Sequence, residues 1–227
     1  MPAATDYLIK AGVKRENISW IPNSVDIKNI PPQFPTKSSQ KKFTVMYAGA
    51  HGLANDLDTV VAAAKILKEK GLSETLRICL IGDGPEKNRL QQLTRAEQIN
   101  MIDFLPSVAK HTIYNMLHQA DAYLMLLKKS PVFRWGISPN KLFDYLAMAR
   151  PVIFGVETPF DPIANANAGI SITPSDPQAL ANAIYTLSKT PTDELTAMGQ
   201  RGREFVLQNH DVELLAEKLE GVLERCR

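Results

Sequence analysis

Cysteine is nearly absent: Cys79 and Cys226 are the only two in 227 residues. Two thiols that far apart make neither a disulfide framework nor a zinc-ligand spacing, and they fit a reducing cytoplasm. Cys79 sits in the run LRICLIG and is expected in the core. Four scattered histidines form no metal cluster in the sequence, so no metal site is expected. No apolar run reaches the ~20 residues that cross a bilayer, and Met1 is not followed by a signal-peptide pattern. Net charge is only +2, which excludes the basic field of a nucleic-acid binder. Lys41-Lys42 is a small basic spot and reads as a solvated loop. Solenoid-length repeats are missing. So is the Gly-x-Ser-x-Gly elbow of a serine hydrolase, which leaves nucleophilic catalysis unsupported.

What is present is ordinary for a globular chain: 44 % hydrophobic and 22 % charged residues, enough for one large domain or one and a half small ones. Asp6 to Gly12 reads as the end of a helix, and Ile18 to Ile21 as a short strand broken by Pro22. Residues 27–42 carry Pro31, Pro32 and Pro35 and read as a linker. From Phe43 onward, short apolar runs alternate with helical spacing. Strands are predicted at 43–48, 76–81, 102–105, 122–127, 152–154 and 168–172. Helices are predicted at 56–70, through Leu90 and Leu93, at 110–119, after Ser138, from Asp176 through Leu187, at 193–208 and at 211–225. Continuous apolar strands alternating with helices mark a parallel sheet covered on both faces. The expected fold is therefore α/β, a doubly wound, mostly parallel, Rossmann-like sheet. Such sheets bind ligands beyond the carboxyl ends of their strands. The loops there are 49–55, 82–85, 105–107, 128–137 and 155–160.

The stretch 136–153, GISPNKLFDYLAMARPVI, holds the strongest local signal. Ser138 is a candidate N-cap, and Pro139 suits a first helical turn. Leu142, Leu146 and Ala149 form an apolar stripe. Asn140, Lys141 and Asp144 share the other face, because residues three and four apart are helical neighbours. Helix-start amides and a lysine suit a phosphate, and a carboxylate suits a sugar diol. The plainer reading is an amphipathic helix with a solvated face. Gly49-Ala50-His51-Gly52 follows a strand, and its glycines let amides approach an anion. It is not a Walker motif, and His51 could donate to a phosphate, act as a base or be structural. Gly82-Asp83-Gly84-Pro85 also joins strand to helix. A dinucleotide fingerprint needs a third glycine where Lys87 stands, so a tight turn and a ligand-facing turn both stay open. Arg134 adds charge near the loop before Gly136, or is simply exposed.

Taken in order, IPNSVD at 21–26, MYAGAHGLANDLD at 46–58, IGDGPEKNRL at 81–90, DFLP at 103–106, ADAYLML at 120–126, SPNKLFDYLAMARPVI at 138–153 and MGQRGREFV at 198–206 resemble one family. It is the C-terminal half of retaining group-1 (family 4) glycosyltransferases of the GT-B fold, in the style of bacterial polysaccharide and O-antigen enzymes. The resemblance covers nearly the whole chain. It implies a domain that holds a nucleotide-sugar donor, with a UDP-sugar expected, and a hexosyl or other glycosyl transfer with retention. Asp144 matches the second Glu of the family's Glu-x7-Glu motif and implies ribose binding. Asn140 and Lys141 match the helix start that binds the donor diphosphate, with Ser138 beside them. Gly49 matches the glycine of the phosphate-side loop, with His51, Gly52 and Arg134 added as diphosphate-side candidates. Gly82 and Gly84 lie beside the nucleotide, and Phe104, Leu105 and Pro106 match the edge against which the base packs. The resemblance implies no metal, no cofactor and no assigned catalytic residue.

This chain departs from that pattern at informative places. The motif's first Glu, which contacts the donor sugar, is Gly136, with Ile137 next to it on the donor-sugar side. The first-loop Arg and Lys fall at Ala50 and Asn55, so Lys141, Arg134 and His51 are the substitutes at hand. The resemblance divides the chain into residues 1–42, the end of an N-terminal domain plus linker, and residues 43–227, the donor-binding domain with C-terminal helices. It implies an acceptor glycan or lipid-linked glycan held by an N-terminal domain that the chain lacks, so the chain alone is expected to be inactive. The last helix would reach toward that domain and leave Leu214, Leu215 and Leu219 partly uncovered. The expected location is the cytoplasm, at the inner membrane face for a peripherally associated full-length protein. Two alternatives stay open: a non-catalytic nucleotide-binding or interaction module, and a nicotinamide-dependent oxidoreductase.

Overall fold

The computed structural model describes residues 3–30 and 42–225. The proline-rich part of the expected linker, Lys41 and Cys226 lie outside the described residues. Helix α1 (Ala4–Lys10) leads through a turn and a 3₁₀ helix, Arg15–Asn17, into a stretch without regular structure. The strand expected at Ile18–Ile21 does not form, because the segment gains no ladder partner. Among the described residues before Phe43, only Val25 pairs, in an isolated parallel bridge to Asp211.

Strand β1 (Phe43–Ala48) opens the sheet, followed by α2 (Leu57–Glu69), β2 (Leu76–Ile81), α3 (Lys87–Ala96), β3 (Ile102–Leu105), α4 (Lys110–Leu117) and β4 (Ala122–Leu126). Then come α5 (Asn140–Ala147), β5 (Val152–Gly155), α6 (Pro162–Ala166), β6 (Gly169–Ser171), α7 (Pro177–Lys189), α8 (Thr192–Asn209) and α9 (Val212–Glu224). The six strands run in the order β3-β2-β1-β4-β5-β6, and every pairing is parallel. This is the doubly wound α/β architecture that the apolar runs predict. The chain turns back between β1 and β4, so the switch point lies at their carboxyl ends.

Side chains alternate across β1 as a strand requires. Val45 and Tyr47 enter a core with α2 and α7, while Met46 enters one with α4, α5 and α8. Cys79 is buried in the second core, as expected. Helix α5 turns Leu142, Phe143, Tyr145, Leu146 and Ala147 inward. Its N-cap is Pro139, with no side-chain cap, rather than Ser138. Ser138 Oγ instead accepts the Asn23 amide at 3.2 Å, which removes it from capping. Helix α6 is an addition to the sequence reading. Asp161 caps it, accepting from the amides of Ile163 and Ala164 at 2.9 Å each, and Pro162 starts it. On α9, Leu215 is buried but Leu214 and Leu219 are exposed by 41 % and 45 %, so only part of the expected apolar face is uncovered. Among the described residues, no helix is long and apolar enough to cross a membrane.

Candidate functional site

The loops after β1 and β2 run side by side, backbone on backbone. Gly49 N donates to Ile81 O at 2.9 Å, His51 N to Asp83 O at 2.8 Å, and Glu86 N to His51 O at 3.0 Å. A Cβ on Gly82 would lie 2.0 Å from Gly49 O, and one on Gly84 would lie 2.6 Å from His51 O. Both residues also have positive φ, +142° and +154°, which only glycine adopts at no steric cost. The Gly-Asp-Gly turn thus exists to let two loops touch. Lys87, at the place of a third glycine, donates from Nζ to Gly82 O at 2.7 Å and Leu105 O at 3.1 Å. It ties the turn to the end of β3.

His51 lies beneath this crossing, fully buried. Its ring meets Phe104 edge-on at 6.1 Å and sits beside Tyr47. Neither ring nitrogen has a hydrogen-bond partner among the described residues. Burial lowers its pKa to about 4, helped by the charges of Lys87 and Lys141 and opposed by Asp83. A neutral, covered imidazole is no phosphate ligand in this arrangement.

A cleft of about 400 Å³ opens over the switch point. One wall is Ala48, Gly49, Ala50, Gly82 and Asp83. The other brings Lys141, Asp144 and Tyr145 from α5, and Ser107, Val108, Ile113 and Leu117 close the side beyond β3. Tyr145 fastens α5 to β1: its hydroxyl accepts from Ala48 N at 2.7 Å and donates to Ala48 O at 3.1 Å. Tyr114 donates to Asp144 Oδ1 at 2.9 Å and so orients the carboxylate. Lys141 Nζ donates to Asn55 Oδ1 at 2.9 Å and Tyr47 Oη at 3.0 Å, and lies 4.4 Å from the Tyr47 ring centre. Burial lowers its pKa to about 8. At the cap of α5, Leu142 N donates to Pro139 O at 3.1 Å, and the amides of Asn140 and Lys141 precede that bond. The cleft can therefore present one ammonium and one oriented carboxylate, both from α5, to the same ligand.

Of the residues singled out from sequence, Gly49, Gly82, Lys141 and Asp144 line this cleft. Gly84 supports it from below. Gly52 starts a short 3₁₀ turn, Leu53–Asn55, away from the lining. Phe104 and Leu105 sit under the wall, and the cleft edge is formed by Ser107 and Val108 in place of Phe104-Leu105-Pro106. Arg134 lies over Trp135 at 5.0 Å and lines a separate recess with Glu157 and Thr158. Gly136 ends a 3₁₀ turn, Pro131–Trp135, and Ile137 packs on the core beside Trp20. Asn140 accepts from Asn23 Nδ2 at 2.7 Å, on the side of the early segment. Sequence reasoning missed Tyr47, Tyr114, Tyr145 and the positive part played by Asn55. Their only signal was polar tips on otherwise apolar elements.

A family model described as "Glycosyl transferases group 1" matches residues 31–205. Over 219 residues the chain is 25 % identical to WcaL of Escherichia coli (strain K12), which carries the name of a colanic acid biosynthesis glycosyltransferase; 96 % of this chain and 53 % of that protein are covered. WcaI of the same organism, named for the same biosynthesis, is 23 % identical over 90 % of this chain and 51 % of its own length. The chain thus spans about half the length of the curated relatives it matches. Among solved structures, a glycosyltransferase from Rickettsia africae superposes with a TM-score of 0.79 at 18 % identity, covering 97 % of this chain and 61 % of that one. Alr3699/HepE from Anabaena, in complex with UDP and glucose, superposes with a TM-score of 0.75 at 18 % identity, covering 98 % and 61 %. At that identity the likeness speaks to the fold.

Proposed function

The chain belongs to the group 1 glycosyl transferases, and on that premise we propose that it is the half that holds a nucleotide-sugar donor, with a UDP-sugar as the expected donor. The observation that carries this reading is the meeting of Lys141 and Asp144 of α5 with Gly49 and Gly82 in one cleft at the switch point. Lys141 and the amides of Asn140 and Lys141 would take the diphosphate. Asp144, oriented by Tyr114, would accept from the ribose hydroxyls. The base would lie toward Ser107 and Val108, with Gly82 and Asp83 beneath it.

Catalysis in the whole protein would then rest on stabilising the departing diphosphate and aligning donor with acceptor, with retention of configuration. The acceptor, a glycan or lipid-linked glycan of cell-surface polysaccharide synthesis, would be supplied by a further domain. Residues 1–42 would be the end of that domain and the link to it. This chain alone would bind the nucleotide and transfer nothing. Peripheral membrane association and a cytoplasmic setting belong to the same reading of the full-length protein.

The test is a calorimetric and thermal-shift titration of the chain with UDP, GDP and NADH. Stabilisation by UDP that falls on Asp144→Ala supports the reading. A response to NADH alone would make the chain a nicotinamide-binding module, and no response to any nucleotide would make it an interaction module. Sugar transfer by the chain alone would overturn its expected inactivity.

A further inference from the structure

Among the described residues, Lys141 is the only cation lining the cleft, and its partners are neutral. Asn55 Oδ1 and Tyr47 Oη take two of the three ammonium N–H bonds. The Tyr47 hydroxyl spends its own proton on Ala50 O at 2.7 Å, so it turns a lone pair toward Nζ. The Tyr47 ring is fully buried and lies against the ammonium. Asn55 is held at the end of a short turn by its amide, which donates to Gly52 O at 3.0 Å. On the third side stands Gly49. A Cβ there would be 3.3 Å from Nζ and 3.0 Å from Tyr47 Oη, so the bare backbone leaves the ammonium its way into the cleft. Neutral acceptors orient a buried charge without cancelling it, whereas a carboxylate would pair with it and compete with any incoming anion.

We infer that Tyr47 and Asn55 are positioning residues for Lys141, holding its ammonium at the Gly49 side so that the third N–H meets an anionic phosphate oxygen of the ligand. The inference rests on the nucleotide-diphosphate reading above and adds two residues to it. Each acts through Lys141 and need not touch the ligand.

The chain is titrated calorimetrically at pH 7 with pyrophosphate, UDP and uridine. Variants are Asn55→Ala, Asn55→Asp and Tyr47→Phe, each alone and with Lys141→Met. Loss of a hydrogen bond to a charged group is expected to weaken pyrophosphate and UDP about tenfold for Asn55→Ala and Tyr47→Phe. Uridine affinity stays unchanged. Asn55→Asp, nearly isosteric, is expected to weaken both anions at least as much, which a merely structural role would not do. In the Lys141→Met background none of the three has a further effect. Anion affinities that stay native in both Asn55 variants while Lys141→Met loses them would overturn the inference. If Tyr47→Phe fails to fold, the Asn55 pair still decides it. UDP bound no more tightly than uridine by the native chain would sink the diphosphate reading instead, and the pyrophosphate arm would still judge the positioning role.

Discussion

Asn23 reaches across 117 positions to donate from Nδ2 to Asn140 Oδ1 at 2.7 Å, and the same amide group donates to Ser138 O at 2.5 Å. Its carbonyl meets His210 Nδ1 at 3.0 Å, and His210 stacks on Phe143 at 3.8 Å. One asparagine of the early segment therefore fixes the start of α5 and the junction between α8 and α9. Asn23→Ala is expected to cost about 1 kcal/mol, read from urea unfolding. Hydrogen exchange should quicken at the bonded amides of the first turn of α5, that of Leu142 among them. Unchanged exchange there would mean that α5 holds its start without the clamp.

The two crossing loops give a steeper expectation. Gly82→Ala or Gly84→Ala drives a methyl into a carbonyl of the neighbouring loop and strains the backbone as well, so each should destabilise by about 3 kcal/mol or more. Gly52→Ala, whose Cβ would meet Asn55 Nδ2 at an ordinary 3.7 Å, should cost no more than about 1 kcal/mol. Chemical denaturation of the three variants makes the comparison.

His51 sets an acid limit. The unfolded chain takes up a proton on this ring below about pH 6.5, but the folded ring refuses it until about pH 4. The contribution of His51 should therefore be level above pH 7 and fall as the pH drops through that window, by up to about 3 kcal/mol. His118 and His210 are also lowered by burial and act in the same direction. His51→Leu should flatten the slope of unfolding free energy between pH 6.5 and 4. A variant with the native slope would show that His51 opens to water before it titrates.

Lys141 carries a signature with two signs. Its folded pKa of about 8 lies below the usual 10.5, so the ligand-free folded chain gives up this proton before the unfolded chain does. Between those values stability gains from this group as the pH rises. Pyrophosphate affinity moves the other way and should fall by up to about tenfold per pH unit above 8, because the ammonium is what binds. Lys141→Arg, charged throughout, should remove that loss of affinity and leave only the change due to pyrophosphate's own last ionisation. Calorimetry from pH 7 to 9.5 measures it.

Much of this was legible in the sequence because it depends on local spacing. Continuous apolar runs located each strand of the sheet, and the offset of three between Lys141 and Asp144 put both on one side of α5. Ile18–Ile21 misled because strand pairing needs a neighbour, and a short β-branched run does not reveal whether one exists. Helix α6 is only one turn long and rests on the Asp161-Pro162 start rather than on periodicity. Tyr47 and Asn55 come to Lys141 from 94 and 86 positions away, a distance no local pattern spans. Arg134 was placed near the site by its number, yet the 3₁₀ turn before Gly136 carries it to another recess.

The contact of Gly84 with the His51 carbonyl bears on how such a chain can diversify. Loops at the carboxyl edge of a parallel sheet are where a fold usually changes ligand, each varying on its own. Here one loop is the floor of the other, with Lys87 bolting the loop after β2 to the end of β3. Insertions or bulky substitutions in either loop would have to be matched in its partner. New ligand preferences should therefore accumulate in relatives at the residues after β3, Ser107 and Val108 among them, while the crossing drifts slowly or moves as a pair.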